Sequence, residues 1–249
     1  MKKLSNYLNL CTQVYDLKMS EPQADAYSFY RHYAKEANGP ILEPMCGAGQ
    51  YFIPLLEEGF DIYGFDASTH MLSKLYEKTQ KKNLKPNTWY GFVQELNRSE
   101  RFSLIFIPKG SFCLITDENE VNQALKSFHQ HLTETGVLLL EIETPKAVPA
   151  LGVWRGSMYP RSDGTSILLS QLAILEAGIY KSFGKYELLS EGKIAHTELE
   201  EYKIKIYEQD ELINIIKAAG FTQIRMIKAF DLDKKPSEND ESVVYECRK

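Results

Sequence analysis

The chain has 249 residues, a net charge of −5 and a pI of about 5.7. That is the length of one large domain with a sizeable core, and its acidic balance argues against a partner recognised chiefly through a phosphate backbone. The cysteines Cys11, Cys46, Cys113 and Cys247 are scattered without a C-x-x-C pair, so neither a zinc site nor a disulfide framework is suggested. The N-terminus lacks the apolar run of a signal peptide, and no segment has the length of a membrane span. A cytoplasmic location with reduced thiols is the expectation.

Residues Met19 to Ala37 read as a helix, with Ser20 as N-cap, Pro22 in the first turn, and Tyr27, Tyr30 and Ala34 at helical spacing. Asn38-Gly39-Pro40 stops it and leads into the strand Ile41-Leu42. Further strands are expected at about Asp61–Phe65, Thr88–Val93, Phe102–Pro108 and Gly136–Glu143. Helices Tyr51–Glu58, Ser68–Lys82 and Glu118–Leu132 intervene. This alternation implies parallel strands joined by right-handed crossovers. The continuous apolar runs Leu104–Ile107 and Val137–Leu140 suit strands covered on both faces.

From about Pro145 to Tyr207 helical periodicity is lost. Ser166–Leu175, Ile179–Leu189 and Lys193–Ile206 read as antiparallel strands, with turns at Asp163-Gly164, Ala177-Gly178 and Glu191-Gly192. The segment reads as an insertion covering one end of the main sheet. The earlier pattern resumes with a helix Glu208–Ala219, stopped by Gly220, and strands Phe221–Phe230 and Val243–Cys247. The polar Asp231–Ser242 between those strands reads as a mobile hairpin loop.

The most specific feature is Glu43-Pro-Met-Cys-Gly47-Ala48-Gly49, a glycine turn between a strand and a helix. Such turns bring backbone against a nucleotide-like ligand. An acid, Asp66, ends the next strand 17 residues after Gly49, where it can accept from both hydroxyls of a ribose. A dinucleotide site wants a third glycine, and Phe52 stands there instead. S-adenosylmethionine (SAM) has no pyrophosphate and carries a sulfonium; Glu43, Gly47, Gly49 and Asp66 supply what it needs.

In Leu42–Gly49, Gly64–Ser68 and Met71-Leu72 the chain resembles the class I SAM-dependent methyltransferases, a likeness that extends from about Tyr15 to the C-terminus. The subgroup resembled carries an antiparallel insertion between strand five and the last helix, and includes glycine or sarcosine and amino-sugar N-methyltransferases. The implied fold is a Rossmann-like, mostly parallel seven-stranded sheet with an antiparallel last strand. It would form a single domain over residues 1–249, with residues 145–207 as a β-rich lid over substrate. The implied cofactor contacts are Tyr15 (in a Tyr15-Asp16 pair), Glu43, Gly47, Ala48, Gly49, Asp66, Ala67, Met71, Glu95, Leu96 and Pro108. Gln94 is a register-shifted alternative to Glu95.

Candidates on the substrate side are Lys109, Ser111, Glu143, Trp154, Arg155 and His196, and no metal is implied. His129 and His131 fall on a helix far from the strand ends and read as structural. With no histidine at a strand end to serve as base, an amine acceptor is favoured over a hydroxyl. The expected activity is methyl transfer from SAM to a small-molecule acceptor, releasing S-adenosylhomocysteine (SAH). The competing readings are a protein or RNA methyltransferase, a non-catalytic SAM-binding module, and a nicotinamide dehydrogenase.

Overall fold

The computed structural model describes residues 4–19, 21–176 and 179–249. The expected N-cap Ser20 and the expected turn Ala177-Gly178 lie outside the described residues. The main sheet has seven strands in the order β10-β11-β5-β4-β1-β2-β3. They are β1 Ile41–Pro44, β2 Ile62–Asp66, β3 Asn87–Tyr90, β4 Phe102–Ile107, β5 Leu132–Glu143, β10 Gln223–Lys228 and β11 Ser242–Arg248. Only β11 runs against its neighbours, pairing antiparallel with both β10 and β5. The interior strand β1 pairs in parallel with β2 on one side and β4 on the other, so the strand order reverses there. Such a switch point opens a crevice at the carboxyl ends of the strands.

Helices cover both faces. On one, α2 Ala24–Glu36, α3 Phe52–Glu57 and α4 Thr69–Lys81 bury Phe29, Tyr30, Phe52, Leu55 and Leu75 against Leu104 and Phe106. On the other, α5 Glu118–His131 and α6 Gln209–Ala218 bury Leu125, Phe128, Leu212 and Ile216 against Ile105, Leu138 and Leu140. Covered this way, β4 and β5 hold almost wholly apolar runs. Glu141 in β5 and Glu246 in β11 are buried acids, and each meets a tyrosine of α2. Tyr30 Oη donates to Glu141 at 2.9 Å and Tyr33 Oη to Glu246 at 2.8 Å.

Two corrections concern the N-terminus. The helix expected from Met19 begins at Ala24, after Gln23 in extended conformation. Pro22 therefore precedes the helix instead of sitting in its first turn. A further helix, α1 Asn9–Lys18, was not expected. Its buried residues Leu10, Cys11 and Val14 pack on Ile167, Leu169 and Tyr186. Those partners belong to a separate four-stranded antiparallel sheet of β6 Arg155–Pro160, β7 Ser166–Glu176, β8 Ile179–Ser190 and β9 Lys193–Lys205. Its edge strand β6 was also unexpected, because its residues are almost all exposed and carry no alternating apolar signal. No described helix is long and apolar enough to cross a membrane.

Candidate active site

The crevice between β1 and β4 holds a cavity of about 560 Å³. Its floor comes from strand ends: Met45 and Gly47 after β1, Asp66 and Ala67 after β2, Gly91 to Gln94 after β3, and Ser111 after β4. Met71 of α4 and Tyr15 of α1 also line it, and Leu4 to Tyr7 close it from the N-terminal side.

The glycine turn is built for close approach. Met45 and Gly47 are both left-handed, with φ of 58° and 54°. A Cβ on Gly47 would meet nothing nearer than Met71 Sδ at 3.9 Å, so the missing side chain leaves open space on the cavity side. Ser68 caps α4, accepting from the Met71 N–H at 3.2 Å.

Asp66 joins turn and helix. Its Oδ2 accepts the Gly47 N–H at 2.8 Å and its Oδ1 the Ser68 N–H at 2.7 Å. Each carboxylate oxygen keeps a second acceptor site, which suits a pair of vicinal hydroxyls. Burial raises its pKa to about 6, against the lowering effect of these N–H groups. Glu43 is 2% exposed, and its Oε2 finds no hydrogen-bond partner among the described residues. Burial, and then the nearby Asp66, push the Glu43 pKa well up. A buried carboxylate without a donor lacks a positively polarised partner. SAM, with an ammonium and a sulfonium, fits a cradle of Glu43, Gly47 and Asp66.

Beside this cradle the ends of β4 and β5 carry a second cluster. The Lys109 N–H donates to Glu141 Oε2 at 2.7 Å. Lys109 Nζ lies 3.1 Å from Met19 Sδ and 5.9 Å from the Tyr15 ring centre, and burial lowers its pKa. Among the described residues no donor forms a hydrogen bond or ion pair with the Glu143 carboxylate. Its pKa is raised to about 7, first by burial and then by Glu141. Tyr180 of β8 feels both Arg155 and Glu143, and its buried hydroxyl has no hydrogen-bond partner among the described residues.

Gly110 makes this packing possible. It is left-handed, with φ +62°, and a Cβ there would lie 2.5 Å from Glu143 Cγ. Gly110→Ala is expected to cost roughly 1–3 kcal/mol, from left-handed strain plus the displaced Glu143 side chain. Urea denaturation checks this, and an unchanged midpoint would show that the turn relaxes freely.

Other expected site residues lie elsewhere. Ala48 and Gly49 are turned inward: the Ala48 carbonyl accepts from Lys78 Nζ at 3.2 Å, and Gly49 packs on Ile53 and Leu75. After β3 the chain enters a short 3-10 turn, Val93–Glu95. Gln94 thereby reaches the cavity, while Glu95 is exposed and Leu96 joins the core. Pro108 is buried behind the β4 turn. Trp154 is 64% exposed beside edge strand β6, and Arg155 is exposed on it.

His196 faces solvent, 3.3 Å from Glu198. His131 Nε2 accepts the Arg98 N–H at 3.0 Å, and His129 packs edge-on against Phe221. Tyr7 was missed by sequence reading. It lines the cavity, feels the charge of Asp66, and packs half-buried against Tyr202. Nothing in its sequence neighbourhood signals that role.

Comparison with known proteins agrees with this geometry. A methyltransferase domain profile matches residues 41–136, from β1 into β5. A Geobacillus protein named as a methyltransferase is 26% identical over 254 residues, covering 94% of this chain and 96% of its own. Bacillus subtilis YqeM, likewise named as a methyltransferase, is 23% identical and covers 95% and 94%. Among solved structures, a SAM-dependent methyltransferase from Clostridium acetobutylicum superposes with a TM-score of 0.80 at 20% identity, covering 98% of this chain and 99% of that one. The sugar N-methyltransferase KedS8 from Streptoalloteichus gives 0.78 at 14% identity, covering 100% and 97%. The matched segment that carries the cradle is thus a methyltransferase domain, and the whole chain has the fold of the SAM-dependent methyltransferases.

Proposed function

We propose that the protein transfers a methyl group from SAM to the nitrogen of a small-molecule amine, with the four-stranded sheet roofing the acceptor. The observation that carries this reading is the Glu143 carboxylate at the end of β5, which has no hydrogen-bond or ion-pair partner among the described residues and lies beside the Lys109–Ser111 turn. Glu43, Asp66, Glu141 and Glu143 outnumber the Lys109 ammonium there, a field that draws cationic ligands. An acceptor arriving as an ammonium meets Glu143 as both counter-ion and proton acceptor.

When bound, SAM supplies an electrophilic methyl on a cationic sulfur. The residues of the chain hold, align and exclude water. Asp66 accepts from the ribose hydroxyls, the Gly47 turn lets backbone approach, and Glu43 offsets the positive methionyl end. Tyr15 and the Leu4–Tyr7 arm shut out solvent. At the acceptor, Glu143 takes one proton from the ammonium, leaving a nitrogen lone pair. Once the nitrogen–methyl bond has formed and the carbon–sulfur bond has broken, Glu143 returns its proton to water.

The relatives fit a nitrogen acceptor. Glycine/sarcosine N-methyltransferase of Aphanothece halophytica is 29% identical over 103 residues, covering 41% of this chain. Similar solved structures include the amino pentose methyltransferase CalS10. The test is radiolabelled SAM with a panel of small amino acids, amino sugars, phenols, bulk tRNA and total protein. Label in one or more small amines is expected. Label confined to hydroxyls, tRNA or protein would overturn the reading.

A further inference from the structure

We infer that Glu200 of β9 is a positioning residue for the cofactor, clasping the N-terminal arm over the cavity and slowing cofactor release; this rests on the methyltransferase reading above.

Helix α1 has no cap of its own. Leu8 stands at its N-cap position without a capping side chain. A helix start leaves backbone N–H groups without partners, and here carboxylates nearly two hundred residues away supply them. Glu200 Oε2 accepts the Tyr7 N–H at 2.7 Å and Oε1 the Leu8 N–H at 2.9 Å. Glu198 Oε2 accepts the Leu10 N–H at 2.7 Å. Glu200 is itself held, since Tyr202 Oη donates to its Oε2 at 2.5 Å and lies 2.6 Å from Cys11 Sγ. These are charge-assisted bonds in a nearly dry setting, with Glu200 4% exposed.

The clasp bears on the cavity through what it holds. Leu4 to Tyr7 line the cavity opposite Asp66, and Tyr15 lines it from further along α1. The Tyr7 carbonyl accepts from Ser68 Oγ, two residues after Asp66, at 2.8 Å. Tyr7 itself is left-handed, with φ 53°, at the joint between arm and helix. The arm is thus tied at one end to the ribose-side loop and at the other to the inserted sheet. On the same strand, Glu201 and Lys203 border the mouth of the cavity. One strand therefore holds the cofactor's roof and frames its exit, so the cofactor leaves only when the arm lets go of β9.

The experiment follows release of radiolabelled SAH from the full-length protein after a chase of unlabelled SAH. Glu200→Gln keeps one acceptor oxygen and loses the charge. It is expected to speed dissociation by about tenfold or more, with association little changed and the melting temperature lowered by a few degrees, because its amide nitrogen must face one of the two N–H groups. Tyr202→Phe leaves the carboxylate but removes its anchor, and is expected to speed release several-fold. Hydrogen exchange at the Leu8 and Leu10 amides should accelerate in the same variants.

A role confined to stability would lower the melting temperature and leave the dissociation rate of the folded fraction unaltered, which would overturn the proposal. If Glu200→Gln does not fold, Tyr202→Phe decides by the same criterion. Failure of the wild-type protein to bind SAH would instead remove the cofactor reading, and the clasp with it.

Discussion

Asp66→Ala is expected to weaken SAH binding by roughly 10²–10⁴-fold, from two charge-assisted hydroxyl bonds at about 1.5–3 kcal/mol each. The loss is compounded because Asp66 also anchors the Gly47 and Ser68 N–H groups. Asp66→Asn should fall between, since its amide nitrogen must face one of those donors.

The same carboxylate sets a pH dependence. The ribose hydroxyls donate to the ionised form, whose pKa is raised to about 6 by burial. Affinity should therefore be full above pH 7 and decline as pH falls through 6, by about tenfold at pH 5. Calorimetry with SAH measures both effects. An Asp66→Ala protein with wild-type affinity would remove Asp66 from the site.

Glu143→Gln should lower turnover of an amine substrate by about 10²–10⁴-fold, the usual contribution of a positioned proton acceptor. SAH affinity should stay near wild type, because Glu143 lies at the β4–β5 ends, apart from the Asp66 cradle. In the wild-type protein Glu143 acts when ionised, and its pKa is raised to about 7. The value of kcat/KM should then rise with pH through about 7 and fall again where the free amine substrate loses its own proton. Glu143→Gln should abolish the lower limb. A variant that keeps both turnover and the limb would show that the amine arrives neutral and needs no carboxylate.

The positions of Glu43, Gly47 and Asp66 were legible because they depend on local chain pattern. Glu43, Gly47 and Asp66 sit at strand ends, and a strand–turn–helix pattern fixes what a strand end can face. The alternating order of elements carried the parallel part of the main sheet, and the family resemblance implied the reversed β11. What escaped sequence reading depends on contacts distant along the chain. Helix α1 has modest apolar patterning and no cap within its own sequence, because Glu198 and Glu200 provide one from β9.

Other misplacements have local causes. The 3-10 turn after β3 advanced the cavity register to Gln94 and sent Leu96 into the core. Strand β6 pairs along one edge only and buries little, so its composition resembles a loop. Tyr7 reaches the cavity only because a left-handed residue turns the arm back over it.

A crystal structure with SAH bound tests the central claim most directly. The expected density places the ribose hydroxyls on Asp66, the homocysteine end beside Gly47 and Glu43, and the sulfur facing the Lys109–Ser111 turn and Glu143. SAH bound with its ribose away from Asp66, or with its sulfur turned from the β4–β5 ends, would contradict it.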